Sequence, residues 1–423
     1  MSIAASRIAI VGGGTAGAAS ALFLARAGHR VTVFERVPEP TAIGAGILLQ
    51  PTGMRVLQAL GLLDEIIAHG ARIEKLYGTT PTGKTVLDVR YRYFSKDSFG
   101  LGLHRGALFS VLWNAVKQAQ IEIRTGVEVT HCDQQSGSAR LFSNDMELGE
   151  YDCVIVANGT HSRVRDSLNV PSRVIPYPWG ALWAVVPDDG TTSGMLRQWL
   201  RNAEQMLGLM PTGRNYGDAQ PVVSFFWSLP ADSLATWREQ GLQHWKETVL
   251  KLAPVQPVLD HIKTPEQLTF ASYADVQMTY WHDRRAVCIG DCAHATSPQL
   301  GQGANLALVD AMTLAQCFEA SDNVQQALQL YSCTRKSHLR YYQSASRLLT
   351  PLFQSHSKLG SGLRDLGLGL VCRTPFLKQQ MSLTLSGTKT GWVFGRLRDA
   401  TPTFHNDASA ASTSATSLIE GVK

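Results

Sequence analysis

Residues 7–35 read RIAIVGGGTAGAASALFLARAGHRVTVFE. Arg7–Val11 is an apolar run without polar interruption, the pattern of a strand buried on both faces. Three glycines follow, and residues 16–27 are small and helix-forming until Gly28 stops them. Residues 31–34 form a second apolar run. Strand, helix and strand in so short a span make a parallel crossover unit. Within it Gly12, Gly14 and Gly17 satisfy G-x-G-x-x-G. Gly12 suits a tight turn, Gly14 lets the backbone approach a pyrophosphate, and Gly17 lets helix and strand pack closely. Thr15 and Ala16 open the helix, whose N-terminus favours phosphate charge. Glu35, followed by Arg36, ends the second strand, where a carboxylate accepts from a ribose diol and disfavours a 2′-phosphate. This stretch alone leaves NAD and FAD open.

Residues 286–311, AVCIGDCAHATSPQLGQGANLALVDA, separate the two. Asp291 at a strand end can hold a ribityl hydroxyl. Gly301 and Gly303 leave room for a flat ring against the backbone. The helix beginning near Ala304 and Asn305 directs free N–H groups at the negative edge of a reduced flavin. The expected cofactor is therefore FAD.

These segments resemble those of the group A FAD-dependent aromatic monooxygenases, the para-hydroxybenzoate hydroxylase family. That family joins the N-terminal fingerprint to a strand ending in Asp-Gly-x-x-Ser-x-x-Arg, and then to Gly-Asp with a downstream Pro and GQGxN. Here the second mark is Asn158-Gly159-Thr160-His161-Ser162-Arg163-Val164-Arg165, and the third runs from Gly290 through Pro298 to Asn305. Ala45 and Gly46 resemble a flavin-contacting loop, and Arg105 resembles an arginine near the FAD phosphates. Val129 joins the residues assigned to FAD by the resemblance. Two departures stand out: Asn158 replaces the usual Asp, and Cys292 replaces a small Ala.

The resemblance implies a cycle in which NADH or NADPH binds transiently and reduces FAD. O2 then gives a flavin C4a-hydroperoxide, and one oxygen passes to a small aromatic substrate, phenolic or heteroaromatic. No catalytic residue is assigned beyond the Pro298 loop near the ring. His104, His161 and His294 lie near the motifs, and none is assigned as a base. The rival readings are a same-fold halogenase or reductase and a flavin-binding protein without turnover. The halogenase signature Trp-x-Trp-x-Ile-Pro is absent, and Asn158 favours the last reading.

The fold class expected is α/β: a Rossmann-like FAD-binding domain, an inserted mostly antiparallel β-sheet substrate domain and a C-terminal helical region. The FAD-binding domain occupies residues 1–175 and 280–345, with residues near 76–98 joining the substrate sheet of residues 176–279. Trp183, Gln198, Phe225 and Trp227 on that sheet, with Pro298, are the expected substrate contacts. Residues 51–69, 105–120, 303–318 and 325–350 are expected as helices, and 359–385 as an interrupted one. The helical region covers 346–399. Residues 346–387 resemble the tail of the ubiquinone-biosynthesis hydroxylases, which implies either a helical cap or peripheral membrane contact. Residues 400–423 are Ala/Ser/Thr-rich and expected to be disordered.

Composition narrows the class. Of 423 residues, 44% are hydrophobic and 17% charged, enough for a large core. The net charge of +5 comes without a long Lys/Arg block, so no nucleic-acid partner is expected. Seven cysteines without a CxxC pair argue against a disulfide framework or structural zinc and for a reducing cytoplasm. No apolar run reaches the ~20 residues of a membrane span.

Overall fold

The computed structural model describes residues 3–397 and Pro402, except 42–43, 136, 191 and 356–373. The expected tail at 400–423 and the first part of the expected 359–385 helix fall outside the described residues, save Pro402.

The first two strands are Arg7–Val11 and Arg30–Glu35, joined through the helix Thr15–Arg26. They lie side by side, parallel, with Ile8 opposite Val31. Cys153–Val156 pairs on the other side of Arg7–Val11, and Ala286–Cys288 pairs with Cys153–Val156. His282–Asp283 and Glu122–Thr125 complete a six-stranded sheet at its two edges. Ile8, Ile10, Val33, Ile155 and Val287 are fully buried. Burying each such side chain contributes roughly 1.5–3 kcal/mol. The consequence for function is register: Val11, Val156 and Cys288 stand next to one another across three strands. The turns that follow them therefore open at one edge of the sheet, although they are far apart in sequence.

A seven-stranded sheet runs in the order Thr269–Met278, Ser172–Pro187, Pro221–Pro230, Gln205–Arg214, Met195–Arg201, Lys75–Thr79 and Thr85–Arg90. All its pairs are antiparallel except Met195–Arg201 with Lys75–Thr79. The α/β architecture with a mostly antiparallel second sheet is the one expected.

Several elements differ from expectation. Residues 51–69 form two helices, Pro51–Ala59 and Leu63–His69, because Gly61 turns the chain at φ +71°. A helical stretch, Leu234–Leu250, broken at Gly241 (φ +80°), lies within the region read as strand-rich, with Trp237 before the break and Trp245 and Val249 after it buried against the sheet. Only Trp245 and Val249 share one helical step, because the glycine interrupts the period. Two small three-stranded sheets were also missed: His131–Gln134 with Ala139–Ser143 and Met146–Tyr151, and Gly46–Leu49 with Gly100–His104 and Ala71–Ile73. The helices Gly303–Glu319 and Val324–Phe353 follow the last parallel strand, and Pro375–Leu385 closes the described chain's helical part.

Candidate functional site

The glycine turn meets the end of the neighbouring strand at van der Waals limits. Gly12 has φ +103°, and a Cβ there would sit 2.7 Å from the Ala157 carbonyl oxygen. A Cβ on Gly17 would sit 1.9 Å from the Gly12 carbonyl oxygen. Gly14 faces open space. Glu35 is held in place from both sides: the Gly13 N–H donates to Oε2 at 2.8 Å and the Val37 N–H donates to Oε1 at 3.0 Å.

A cavity of about 1280 Å3 runs from this turn to the face of the seven-stranded sheet. That exceeds the roughly 300–1,000 Å3 of a single small-molecule pocket. Of the residues expected at the cofactor, all but Gly17 and Asn305 line it. Gly17 is spent on helix–strand packing. Asn305 is fully buried and acts as a staple. Its Oδ1 accepts from the Gln50 N–H at 2.8 Å, and its Nδ2 donates to the carbonyls of Leu48 and Gly301, each at 3.0 Å. It ties the strand Gly46–Leu49 to the Gly301 loop and does not face the cavity.

Behind Asp291 lies a buried charge cluster that the sequence reading missed. Asp310 Oδ2 accepts from the Gly290 N–H at 2.9 Å and contacts His294 Nε2 at 2.5 Å. Its Oδ1 accepts from Arg335 Nε at 2.7 Å. Burial alone would raise the Asp310 pKa, but the charges of His294 and Arg335 and the hydrogen bonds hold it well below the usual carboxylate range. Arg335 also meets His338 Nδ1, and His338 Nε2 reaches the Gly387 carbonyl at 2.7 Å. Burial, and then the neighbouring Arg335 charge, push the His338 pKa well down. His338 is therefore neutral: Nδ1 accepts from Arg335, and Nε2–H donates to Gly387.

At the other end, alternation along the strand decides which side chains face the cavity. Of the residues expected to contact substrate, Trp183, Gln198 and Pro298 line it. Phe225 and Trp227 do not. They point to the opposite face of Pro221–Pro230, buried edge-on against Trp245 with ring centroids 5.7 and 6.4 Å away. The helix Leu234–Leu250 covers that face, so the intervening Phe226 is the one that reaches the cavity. Its ring lies 5.0 Å from that of Trp183. The Trp183 indole N–H donates to the Tyr273 hydroxyl at 3.0 Å, and Tyr273 also lines the cavity. The Pro298 turn is pinned from behind, where Ser297 Oγ bonds Ser346 Oγ at 2.8 Å and Thr350 Oγ1 at 2.7 Å.

The family described as FAD binding domain matches residues 5–341. The chain belongs to that family, the flavin-dependent aromatic monooxygenases. FAD is the cofactor of this flavoprotein, and the monooxygenases of the family use NAD(P)H and O2. It is 29% identical over 416 residues to a 3-amino-4-hydroxybenzoate 2-monooxygenase of Streptomyces cremeus, covering 92% of this chain and 95% of that one. It is 27% identical over 356 residues to a 6-hydroxynicotinate 3-monooxygenase of Pseudomonas fluorescens, covering 80% and 90%. In fold it is similar to Klebsiella pneumoniae HpxO, whose structure was solved with FAD and uric acid. The TM-score is 0.78 at 19% identity, over 89% of this chain and 97% of that one.

The flavoprotein's own residues fit such a cofactor. The open side of Gly14, the fixed Glu35 carboxylate and the loop from Gly301 to Ala304 share one cavity. Asn158 Oδ1, also on that cavity, is buried without a hydrogen-bond partner among the described residues. A buried acceptor left unmade costs roughly 1–3 kcal/mol, so a bound donor there is favoured. Cys292 is fully buried and off the cavity, its carbonyl accepting from Arg165 at 3.2 Å. Of the three histidines only His161 lines the cavity. His104 caps the helix Arg105–Gln118 by accepting from the Gly106 N–H at 3.1 Å, and burial lowers its pKa.

The flavoprotein's C-terminal segment reaches the cavity too. Gln380, Met381, Leu385 and Trp392 line it. Gln302 Nε2 donates to the Leu385 carbonyl at 2.8 Å, and the Tyr342 hydroxyl donates to the Thr384 carbonyl at 2.8 Å. Gln302 sits inside the GQGxN motif, so the motif's polar side chain holds the segment against the flavin loop. No helix among the described residues is long and apolar enough to cross a membrane.

Proposed function

We propose that this monooxygenase hydroxylates an aromatic ring, phenolic or heteroaromatic, held between Trp183, Phe226 and Tyr273 on one side and the Pro298 turn on the other. One observation carries the reading. The Tyr273 oxygen accepts from Trp183, whose indole N–H can only donate. The Tyr273 O–H is left to donate into the cavity, to a phenol oxygen or ring carbonyl of the substrate. Burial raises the Tyr273 pKa, with the Trp183 hydrogen bond opposing it, so the phenol keeps its proton near neutral pH. The apolar walls around it favour a flat ring.

Bound FAD supplies what these side chains lack: two-electron reduction by NAD(P)H and activation of O2. The reaction balances as ring C–H, O2, NAD(P)H and a proton giving ring C–OH, NAD(P)+ and water. In this reading Gly14, Thr15 and Ala16 lie against the pyrophosphate and Glu35 takes the ribose diol beside Arg36. Arg105 neutralises phosphate charge, and Val129 walls the nucleotide end. Asp291 and Asn158 hold polar groups near the flavin, whose ring lies along Ala45, Gly46, Gly301, Gly303 and Ala304. The relatives named for a hydroxybenzoate and a hydroxynicotinate support a small hydroxylated ring as substrate. The free thiols support a cytoplasmic setting.

The test is direct. The purified protein should be yellow, and phenols and hydroxylated heteroaromatics should be screened for stimulated oxidation of NADH and NADPH. A product heavier by one oxygen supports the reading. Oxidation that no aromatic compound stimulates, or stimulated oxidation with every ring recovered unchanged, overturns it.

A further inference from the structure

The described part of the chain from residue 324 onward has a charge balance unlike the rest. Residues 324–355 and 374–397 contain seven Lys and Arg and no Asp or Glu. The remaining chain is close to balanced, with 32 bases against the protein's full set of 34 acids. Two of the seven, Arg335 and Lys389, are buried and serve the interior. Lys336, Arg340, Arg347 and Arg396 are exposed, and Lys378 is half-buried. Arg347 also pairs with Asp275 at 3.0 Å. Lys336, Arg340 and Arg347 recur at helical spacing along Val324–Phe353, so they share one stripe.

Within this basic region stands an apolar turn. Trp392, Val393 and Phe394 are 56%, 53% and 84% exposed. The turn is a built structure. Lys389 bridges to Arg396, the Thr390 N–H donates to the Gly395 carbonyl at 3.1 Å, and Lys389 Nζ donates to the carbonyls of Trp392 at 3.0 Å and Val393 at 3.3 Å. Trp392 leans edge-on against Tyr341, with ring centroids 5.4 Å apart. A buried lysine thus holds three adjacent apolar side chains out in water, where exposed apolar patches mark interaction sites. Trp392 and the 62%-exposed Leu348 also line the substrate cavity, so the turn stands at its mouth.

We propose that this face docks on an anionic lipid surface. The residue 392–394 turn enters the headgroup layer, and the exposed bases meet the lipid charge. Peripheral membrane binding needs apolar insertion and basic charge acting together, and this C-terminal part of the chain supplies both. Nucleic acid would meet the same bases but has no use for an apolar tip opening onto an apolar cavity. Docking stands on charge and exposure alone. Only its consequence, entry of a lipophilic ring from the bilayer, rests on the hydroxylase reading.

The experiment is co-sedimentation of the full FAD-loaded protein with vesicles of phosphatidylcholine alone and of phosphatidylcholine with phosphatidylglycerol in equal parts. Binding to the anionic vesicles should be stronger by at least about tenfold and should weaken as salt is raised. Val393→Ser/Phe394→Ser and Lys336→Glu/Arg340→Glu should each weaken it by about tenfold or more. NADH oxidation stimulated by a water-soluble phenol should not change in either variant, so turnover reports the hydroxylase reading separately. Failure to sediment, equal sedimentation with both vesicle types, or variants that bind like the parent would overturn the proposal. So would binding to single-stranded RNA in the absence of any vesicle binding.

Discussion

The two ends of the cavity are built on different physical terms. The end proposed for the nucleotide is made of backbone: a glycine turn, strand ends in register and a helix N-terminus. The end proposed for the substrate is made of side chains on one face of a sheet, closed by a segment from the far end of the chain. Backbone sites demand particular residue types at short spacing, because a Cβ at Gly17 would overlap the Gly12 carbonyl. Side-chain faces demand only a pattern of alternation, and both faces of Pro221–Pro230 are buried here, one carrying Val223, Phe225 and Trp227 and the other Ser224, Phe226 and Ser228. One end is thus intolerant of change and the other adaptable.

That contrast can be broken by mutation. The largest effect is expected for Gly17→Val, where a clash with backbone cannot relax as a side chain would. It should cost more than about 3 kcal/mol and give protein that is insoluble or colourless, judged by flavin absorbance. A soluble yellow variant would show that the nucleotide end is not rigid. Next comes Asp310→Ala, which strands Arg335 in the interior and should cost about 4 kcal/mol in chemical denaturation. Its pH dependence has a defined sign. The folded-state pKa is depressed, so the parent's advantage over Asp310→Asn should be constant above about pH 4 and shrink as pH falls below it. An advantage that grows toward acid would contradict the charge assignment.

At the substrate end the faces should separate. Phe225→Ala should lower stability by about 3 kcal/mol and leave KM for the aromatic substrate unchanged. Phe226→Ala should also lower stability, because that ring is buried as well, but it should raise KM. A raised KM for Phe225→Ala, or an unchanged one for Phe226→Ala, would overturn the assignment of faces. The smallest effect is expected for Tyr273→Phe, which removes the hydrogen bond donated to the substrate together with the one accepted from Trp183. It should lower kcat/KM by about tenfold with full flavin content retained. Unaltered kcat/KM for every phenolic substrate would remove Tyr273 from the site.

Legibility followed the same line. The first strand, the glycine turn, Glu35 and the Gly290–Ala304 run could be read because each requirement is local. Asn305 was legible as part of a motif, but its role was not. Its partners Gln50 and Leu48 lie more than 250 residues away, and no spacing rule connects them. Asp310 carried no signal as a lone acid in an apolar helix, since its partners arrive from two other segments, the Gly290–His294 turn and Arg335. Trp245 and Val249 carried a single helical step, and Gly241 breaks the period that Trp237 would have extended.

By itself the sequence determined the α/β class, the glycine turn after the first strand and FAD as the cofactor. Positive φ, helix-terminus charge and close backbone approach restrict residues within a few positions of one another. Tertiary structure alone decided which face of Pro221–Pro230 meets the cavity, why Asn305 is buried as a staple, and how Gln302 captures the segment around Leu385. Those outcomes depend on which surface is covered by which element. The helix Leu234–Leu250 takes one side of the sheet and thereby leaves Phe226 and Tyr273 to the other.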